Sequence, residues 1–373
     1  MSESVTISTE QLLSAQQQIP RWQDMQTELA EPPSAGFKCQ AEDFQVTELL
    51  DVDDDGEGEH QWLWVKKRGA NTRFVAEQLA KFAGVSAREV SHSGMKDRQA
   101  VTWQWFSIQL PGQPLLDWQA LEHPEFVVEK ALLRQRKLRI GTHKANRFQI
   151  RLRDVSDRAA LQQRWQFAVA HGVPNYFGEQ RFGRQGSNLT AMHQWLLAGG
   201  KSKRLKKSQK SLLLSSARSF LFNQVLAYRL QQQQLQTLFD GDVVNLAGSR
   251  SWFVVEQVDD SLRERLQQQD ILLTGPLSGR VAGRDAEQPR SGAGYELEQA
   301  ALADWQPLVQ ALIDKGVQSD RRPLLLYLQQ PQLSWQDNDC LLSFDLSAGS
   351  FASSVIRELI VTEHVGIHED ITE

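Results

Sequence analysis

Arg147-Phe148-Gln149-Ile150-Arg151-Leu152-Arg153 alternates polar and apolar residues without a break. Side chains leave a strand on opposite faces in turn. This stretch therefore predicts a strand with Phe148, Ile150 and Leu152 on one face and Arg147, Gln149, Arg151 and Arg153 on the other. Upstream, Glu42-Asp43-Phe44-Gln45-Val46-Thr47-Glu48 alternates in the same way and reads as a half-buried strand. An acidic loop at 51–59, with Gly56 and Gly58, breaks it. His60 to Val65 predicts a second strand, antiparallel to the first, with Trp62 and Trp64 on one face. Asn71 or Thr72 can cap a helix whose apolar positions Phe74, Val75, Leu79, Phe82 and Ala83 share a face; Gly84 ends it. Ala100 to Leu110 is β-rich again, and a helix over about 156–171 should follow the 147–153 strand.

Composition changes at Gly172 and Pro174. From there to about 325 the chain reads mostly helical, with short strands near 241–256 and a Gly/Pro/Arg-rich stretch at 275–294. Strand-like composition returns at Pro323 to Tyr327 and at Ser343 to Leu346. The turn Ala348-Gly349-Ser350 then leads into a helix carrying Val355, Ile356, Leu359 and Ile360. Strand-forming segments thus bracket a helical middle. That order predicts an α/β (α+β) protein: a mixed-sheet domain built from 1–171 and 326–373, interrupted by a largely helical inserted domain, 172–325. A length of 373 residues suits two domains.

No run approaches the roughly eighteen apolar residues of a membrane span, and the polar, Gln-rich N-terminus has no apolar signal segment, so a cytoplasmic protein is expected. Cys39 and Cys340 match no metal or redox spacing and are expected as free thiols. The formal charge of −5 argues against a polyanionic partner, but the charges are segregated. Asp51 to Glu59 holds six carboxylates in nine residues, and Glu363 to Glu373 holds four more without a Lys or Arg. Arg134 to Arg153 holds eight bases and no acid, and Lys201 to Lys210 holds six bases in ten residues. A phosphate backbone senses the local potential rather than the molecular sum, so both basic runs are candidate RNA contacts.

Several familiar chemistries are missing. Gly200-Lys201-Ser202 fails as a P-loop because Trp195 stands where its first glycine belongs, and no Rossmann fingerprint or nucleophile-elbow serine occurs. His364 and His368 share helical spacing, but Val365 replaces the metalloprotease glutamate and no third ligand is evident. No metal and no cofactor are expected.

Gly94-Met95-Lys96-Asp97-Arg98 is a tight turn with one carboxylate between two cations. Neighbouring cations hold a carboxylate as the anion, which suits a nucleophile and hinders a general acid. Alone, the turn is an ordinary surface ion cluster, and Phe148 is an ordinary core residue. Together with other segments they carry more. Lys38 with Glu42 to Glu48, Asn71-Thr72-Arg73, Gly94 to Asp97, Ala145-Asn146-Arg147-Phe148, Pro174 to Gly183 and Ala348 to Ala352 follow, in order and spacing, the pattern of one family. The chain closely resembles the tRNA pseudouridine synthase D (TruD) family from about Gly36 to Ile360.

The resemblance implies a pseudouridine-synthase-type catalytic domain with the family's insertion at 172–325. It implies an isomerase that turns a uridine of tRNA, at position 13, into pseudouridine. Asp97 matches the family's nucleophile and Lys38 the lysine paired with it; Phe44, Asn146, Phe148 and Phe351 match the substrate-binding residues. Ala145 departs from the family's usual glycine, and would strain the backbone if that position required φ > 0. The reaction gains and loses no atom, the target base must leave its stack, and tRNA is the expected partner of a monomer with no protein partner. An idle RNA-binding protein and a nucleoside hydrolase are the rival readings. An intact Asp97 argues against the first, and the motif's lack of a second activating carboxylate argues against the other.

Overall fold

In the computed structural model the described residues are 7–200, 205–249, 251–281 and 291–363. The chain divides into two compact units: one is Ala30–His171, Tyr327–Ala352 and Leu359–Glu373, and the other is Met1–Leu29, Gly172–Leu326 and Ser353–Glu358.

The first unit is built on a ten-stranded mixed sheet. Its strands are β1 (Ser34–Phe37), β2 (Phe44–Leu49), β3 (His60–Arg68), β4 (Val90–His92), β5 (Val101–Gln109), β6 (Phe126–Arg134), β7 (Ala145–Arg153), β8 (Gln329–Gln336), β9 (Asp339–Ser347) and β10 (Val361–Glu363). The order is β8-β9-β7-β2-β5-β3-β6; β1 joins β10 and β7, and β4 joins β5. Only β1–β10 and β2–β5 are parallel pairs. The expected neighbours β2 and β3 do not pair, because β5 lies between them and bonds to both. In β7 the predicted period holds: Asn146, Phe148, Ile150 and Leu152 are buried, while the intervening residues are not. Helix α1 (Thr72–Ala83) starts where Asn71 Oδ1 accepts the Phe74 N–H at 2.8 Å and ends at Gly84 with φ +69. It lays Val75 and Leu79 on Leu63 and Val65 of β3 and Phe106 and Ile108 of β5. Helix α2 (Arg158–His171) covers the β7–β9 region, with Trp165 6.0 Å from Phe344.

The second unit has a four-stranded antiparallel sheet, ordered 252–254, 243–246, 271–277 and 320–323, with the long helix Lys207–Gln231 packed on it. Residues up to Leu29 were expected with the first part of the catalytic domain but group here instead. Leu12 is buried, Thr9 Oγ1 lies 3.0 Å from His193 Nδ1, and the Gln23 N–H donates to buried Glu358 at 3.0 Å. The helix Ala352–Leu359 falls in this unit over 353–358 for the same reason: Ser354 Oγ donates to the Tyr176 carbonyl at 2.9 Å. No helix among the described residues is long and apolar enough to cross a membrane. Cys39 and Cys340 are unpaired thiols, and burial pushes that of Cys340 up to about 12.

Candidate active site

Residues 93–99 leave β4 and enter β5 as neither helix nor strand, so side chains must hold their backbone. The Gly94 carbonyl accepts from Gln104 Nε2 at 3.1 Å. The Lys96 N–H donates to Thr72 Oγ1 at 3.0 Å, and that hydroxyl donates to Gln104 Oε1 at 2.9 Å. Lys67, fully buried, donates to the carbonyls of Ala70 at 2.7 Å and Asp97 at 2.9 Å and approaches that of Lys96 at 3.5 Å. Burial pushes its ammonium down to about 8, against the pull of Asp97, so it still carries its charge at neutral pH.

The backbone of Asp97 is thereby fixed while its side chain stays 41% exposed. Its partner is Lys38, with Nζ 3.1 Å from Oδ2. The two cations that flank Asp97 in sequence point elsewhere: Lys96 runs inward to Glu48 at 3.1 Å, and Arg98 Nε donates to the Gly69 carbonyl at 3.2 Å. Lys38 has φ +55, in the left-handed region that costs a side-chain-bearing residue about 1–2 kcal/mol. Its ammonium stands 4.0 Å above the Phe44 ring, a cation–π contact. Phe44 lies 6.0 Å from Phe148, which stacks on Phe344 at 5.7 Å.

Asn146 sits on the same face of β7, opposite Glu48 of β2 and Leu346 of β9. Its Nδ2 lies 3.4 Å from His143 Nε2, while its Oδ1, Glu48 Oε1 and His143 Nδ1 are buried with no hydrogen-bond partner among the described residues. Ser93 Oγ donates to the other Glu48 oxygen. A row of apolar rings is thus followed along the sheet face by a buried polar cluster. Ala145 is extended and paired with Ser347 and Leu49, and its φ is not positive, so alanine brings no backbone strain there. Phe351 is partly exposed in the turn after β9; that turn is tied to the 144–146 segment by the Ala348 N–H, which donates to the Lys144 carbonyl at 3.1 Å. The structure thus brings Asp97, Lys38, Phe44 and Phe148 into one contiguous row, with Asn146 next along the sheet face.

The sequence profile of tRNA pseudouridine synthase D (TruD) matches residues 28–203 and 198–359. A tRNA pseudouridine synthase D from Idiomarina loihiensis is 50% identical over 329 residues, covering 88% of this chain and 92% of that protein. The chain belongs to the TruD family. A second relative, the tRNA pseudouridine synthase D of Pseudoalteromonas atlantica, is 38% identical over 354 residues, covering 93% of this chain and 98% of its own. A crystal structure assigned to tRNA pseudouridine synthase D from Methanosarcina mazei shares the fold with a TM-score of 0.69 at 20% identity, covering 88% of this chain and 94% of that one. TruD enzymes are isomerases that form pseudouridine in tRNA, and the mixed sheet is the fold this family uses.

Within the TruD frame, one expectation from the sequence changes. The basic face of β7 is not free for phosphates. Arg147 pairs with Asp345 at 2.8 Å, Arg151 with Asp339 at 3.2 Å and Arg153 with Asp43 at 2.7 Å. The acidic loop neutralises part of the remainder: Asp55 meets Arg134 at 3.1 Å and Asp51 meets Lys144 at 2.8 Å. Arg136, Lys137 and Arg139 stay exposed, with no ion pair among the described residues. They line an open cavity of about 660 Å³ with His60 and Trp62. In the second run, Lys207 onward is helical; residues 201–204 and His364 and His368 lie outside the described residues. Among the described residues no group of three His, Cys, Asp or Glu side chains is placed to hold a metal.

Phe148 is only 6% exposed, so any stacking role is shared with a core role. Phe148→Leu is expected to cost roughly 1–2 kcal/mol of stability, between deleting a methylene and truncating Phe to Ala. It should also slow turnover in the fraction that remains folded. Urea titration with single-turnover assays on the same samples checks both, and an unchanged midpoint would contradict the core role.

Burial holds the imidazoles of His60, His92 and His143 below the usual histidine value of 6.5. For His143 the Lys96 charge adds to that depression, against Glu48. An unfolded chain takes up these protons near 6.5 while the folded one resists, so the unfolded state binds more protons below that value. Stability is therefore fully present above 6.5 and lost as pH falls through the depressed folded values. Hydrogen exchange in β3 and β4 should accelerate, after correction for intrinsic rates, between about pH 7.5 and pH 5.5. Constant protection over that range would refute it.

Proposed function

We propose that the chain converts uridine 13 of tRNA to pseudouridine, with Asp97 as the nucleophile. The supporting observation is the Lys38–Asp97 pair, 3.1 Å apart, whose ammonium stands over Phe44, a ring 6.0 Å from that of Phe148. In the reaction the N1–C1′ bond breaks and a C5–C1′ bond forms; N1 gains a proton and C5 loses one. The Asp97 carboxylate attacks C6 or C1′, or assists elimination to a glycal, and Lys38 orients it. The uracil must be held while it turns. Asn146 Oδ1, buried and without a donor, accepts the N3–H of a flipped uracil, which cytosine lacks. Phe44 and Phe148 supply an apolar floor, and Phe351 covers the base from its partly exposed turn.

Exposed Lys206 and Lys207, in the inserted 172–325 region, and the Arg136, Lys137 and Arg139 cluster supply backbone attraction. All six site residues lie in one unit of one chain, which supports action as a monomer, and a tRNA substrate supports a cytoplasmic location. The deciding experiment is site-resolved pseudouridine mapping of total RNA with and without the protein. A signal at position 13 of tRNA is expected. Free uracil and an abasic sugar would replace this reading by hydrolysis, and an unmodified base bound tightly would replace it by simple RNA binding.

A further inference from the structure

Ile140 and Met95 are 82% and 61% exposed, the two highest values among the exposed large apolar side chains of the described residues. They are separated by about forty-five positions in sequence yet stand on loops that are joined. The Gly141 N–H donates to the Ser93 carbonyl at 2.7 Å, and a Cβ added at Gly94 would come within 3.3 Å of His143 Cε1, so the 93–97 turn and the 139–143 loop pack directly together. Met95 is two residues from Asp97, and Ile140 is three from His143, which touches Asn146. Arg139, beside Ile140, is exposed and lines, with Arg136 and Lys137, the cavity described above.

Apolar side chains thrust into water are costly, and an exposed Ile beside the exposed Arg139, on a loop joined to that of an exposed Met, fits a polyanion with apolar layers between its charges. A stacked nucleic acid has that chemistry: phosphates outside and base faces inside. Proteins that unstack bases use Ile, Leu, Met or Phe as wedges between base steps. A second copy of this chain, or an acidic protein, would meet the cations but would find only these two apolar side chains to bury, little area for a protein interface. We propose that Met95 and Ile140 form the wedge that enters the base stack where the target uridine leaves it, holding open the gap while the base lies against Asp97. This rests on the proposed function, because it takes the flipped uridine as given.

The test compares Met95→Ser, Ile140→Ser and the double variant on two RNAs: a hairpin with the target uridine stacked, and a short single strand with it already unstacked. Thermal unfolding of each variant should match wild type, since both side chains are exposed. On the hairpin, single-turnover pseudouridine formation should fall about tenfold or more in the double variant, the order of one lost stacking contact. On the unstacked strand it should stay within about threefold. 2-Aminopurine placed beside the target should brighten when wild type binds the hairpin, and should brighten much less with the double variant. Equal losses on both RNAs, or none on either, would overturn the wedge. If wild type makes no pseudouridine on either RNA, the functional reading fails, and the 2-aminopurine response still decides whether these residues open the stack.

Discussion

Asp97→Asn is expected to take pseudouridine formation below detection, a loss of about four orders of magnitude or more, if Asp97 is the proposed nucleophile. The fold should be untouched. Lys67 holds the Asp97 carbonyl, Thr72 holds the preceding N–H, and an asparagine oxygen still accepts from Lys38. Only the anionic oxygen is lost. Affinity for tRNA should stay within a few-fold, because phosphate contacts on other side chains dominate it. Asp97→Glu should fail too, since an extra methylene moves the carboxylate by about 1 Å and spoils a near-attack geometry. Lys38→Met should be impaired less than Asp97→Asn, because it alters the pose of the carboxylate without deleting it. Single-turnover kinetics with position-specific readout checks the series; near-wild-type rates for Asp97→Asn would move the nucleophile elsewhere.

The largest loss of stability is expected from Lys96→Met. Lys96 and Glu48 form a pair whose side chains are almost wholly buried, and among the described residues Glu48 has only Ser93 as a further side-chain donor. Removing the cation strands a carboxylate in the sheet interior, at a cost of about 3–5 kcal/mol. The double variant Glu48→Gln/Lys96→Met removes both charges and should recover most of that loss, because the pair repays its own desolvation only in part. Urea unfolding of wild type, both singles and the double gives the coupling. Additive losses would show that the two side chains act independently, against the geometry.

Strand parity carried much of this site in plain view. Phe44 and Val46 share a face with Glu48, Leu63 and Val65 share one with Lys67, and Phe148 and Ile150 share one with Asn146. A polar residue at the end of an apolar face is the mark of a buried polar group, and of these three the family resemblance assigns a role only to Asn146. The roles of Glu48 and Lys67 are not legible in the sequence, because their partners, Lys96 and the carbonyls around Asp97, arrive from a loop whose path no periodicity reveals. The basic run misled for a related reason: arginines on a strand face are judged by their cross-strand neighbours, and Asp345 and Asp339 lie almost two hundred residues away in sequence.

The same logic explains the missed strands. The 271–277 strand contains Gly275 and Pro276, which read as a turn, yet Gly275 is extended in the strand, where a Cβ would crowd the Leu324 and Phe222 side chains at 2.9 and 3.2 Å. β8 is a polar edge strand containing Pro331, so it shows little apolar alternation.

The left-handed backbone of Lys38 sets two kinds of selection against each other at one codon. A screen for folded protein would favour glycine or asparagine there, since both accept φ > 0 at little cost. A screen for modified tRNA would favour the ammonium that meets Asp97. Residues that satisfy the backbone carry no positive charge, and residues that carry it strain the backbone, so directed evolution for heat resistance should drift toward a slower enzyme through this position.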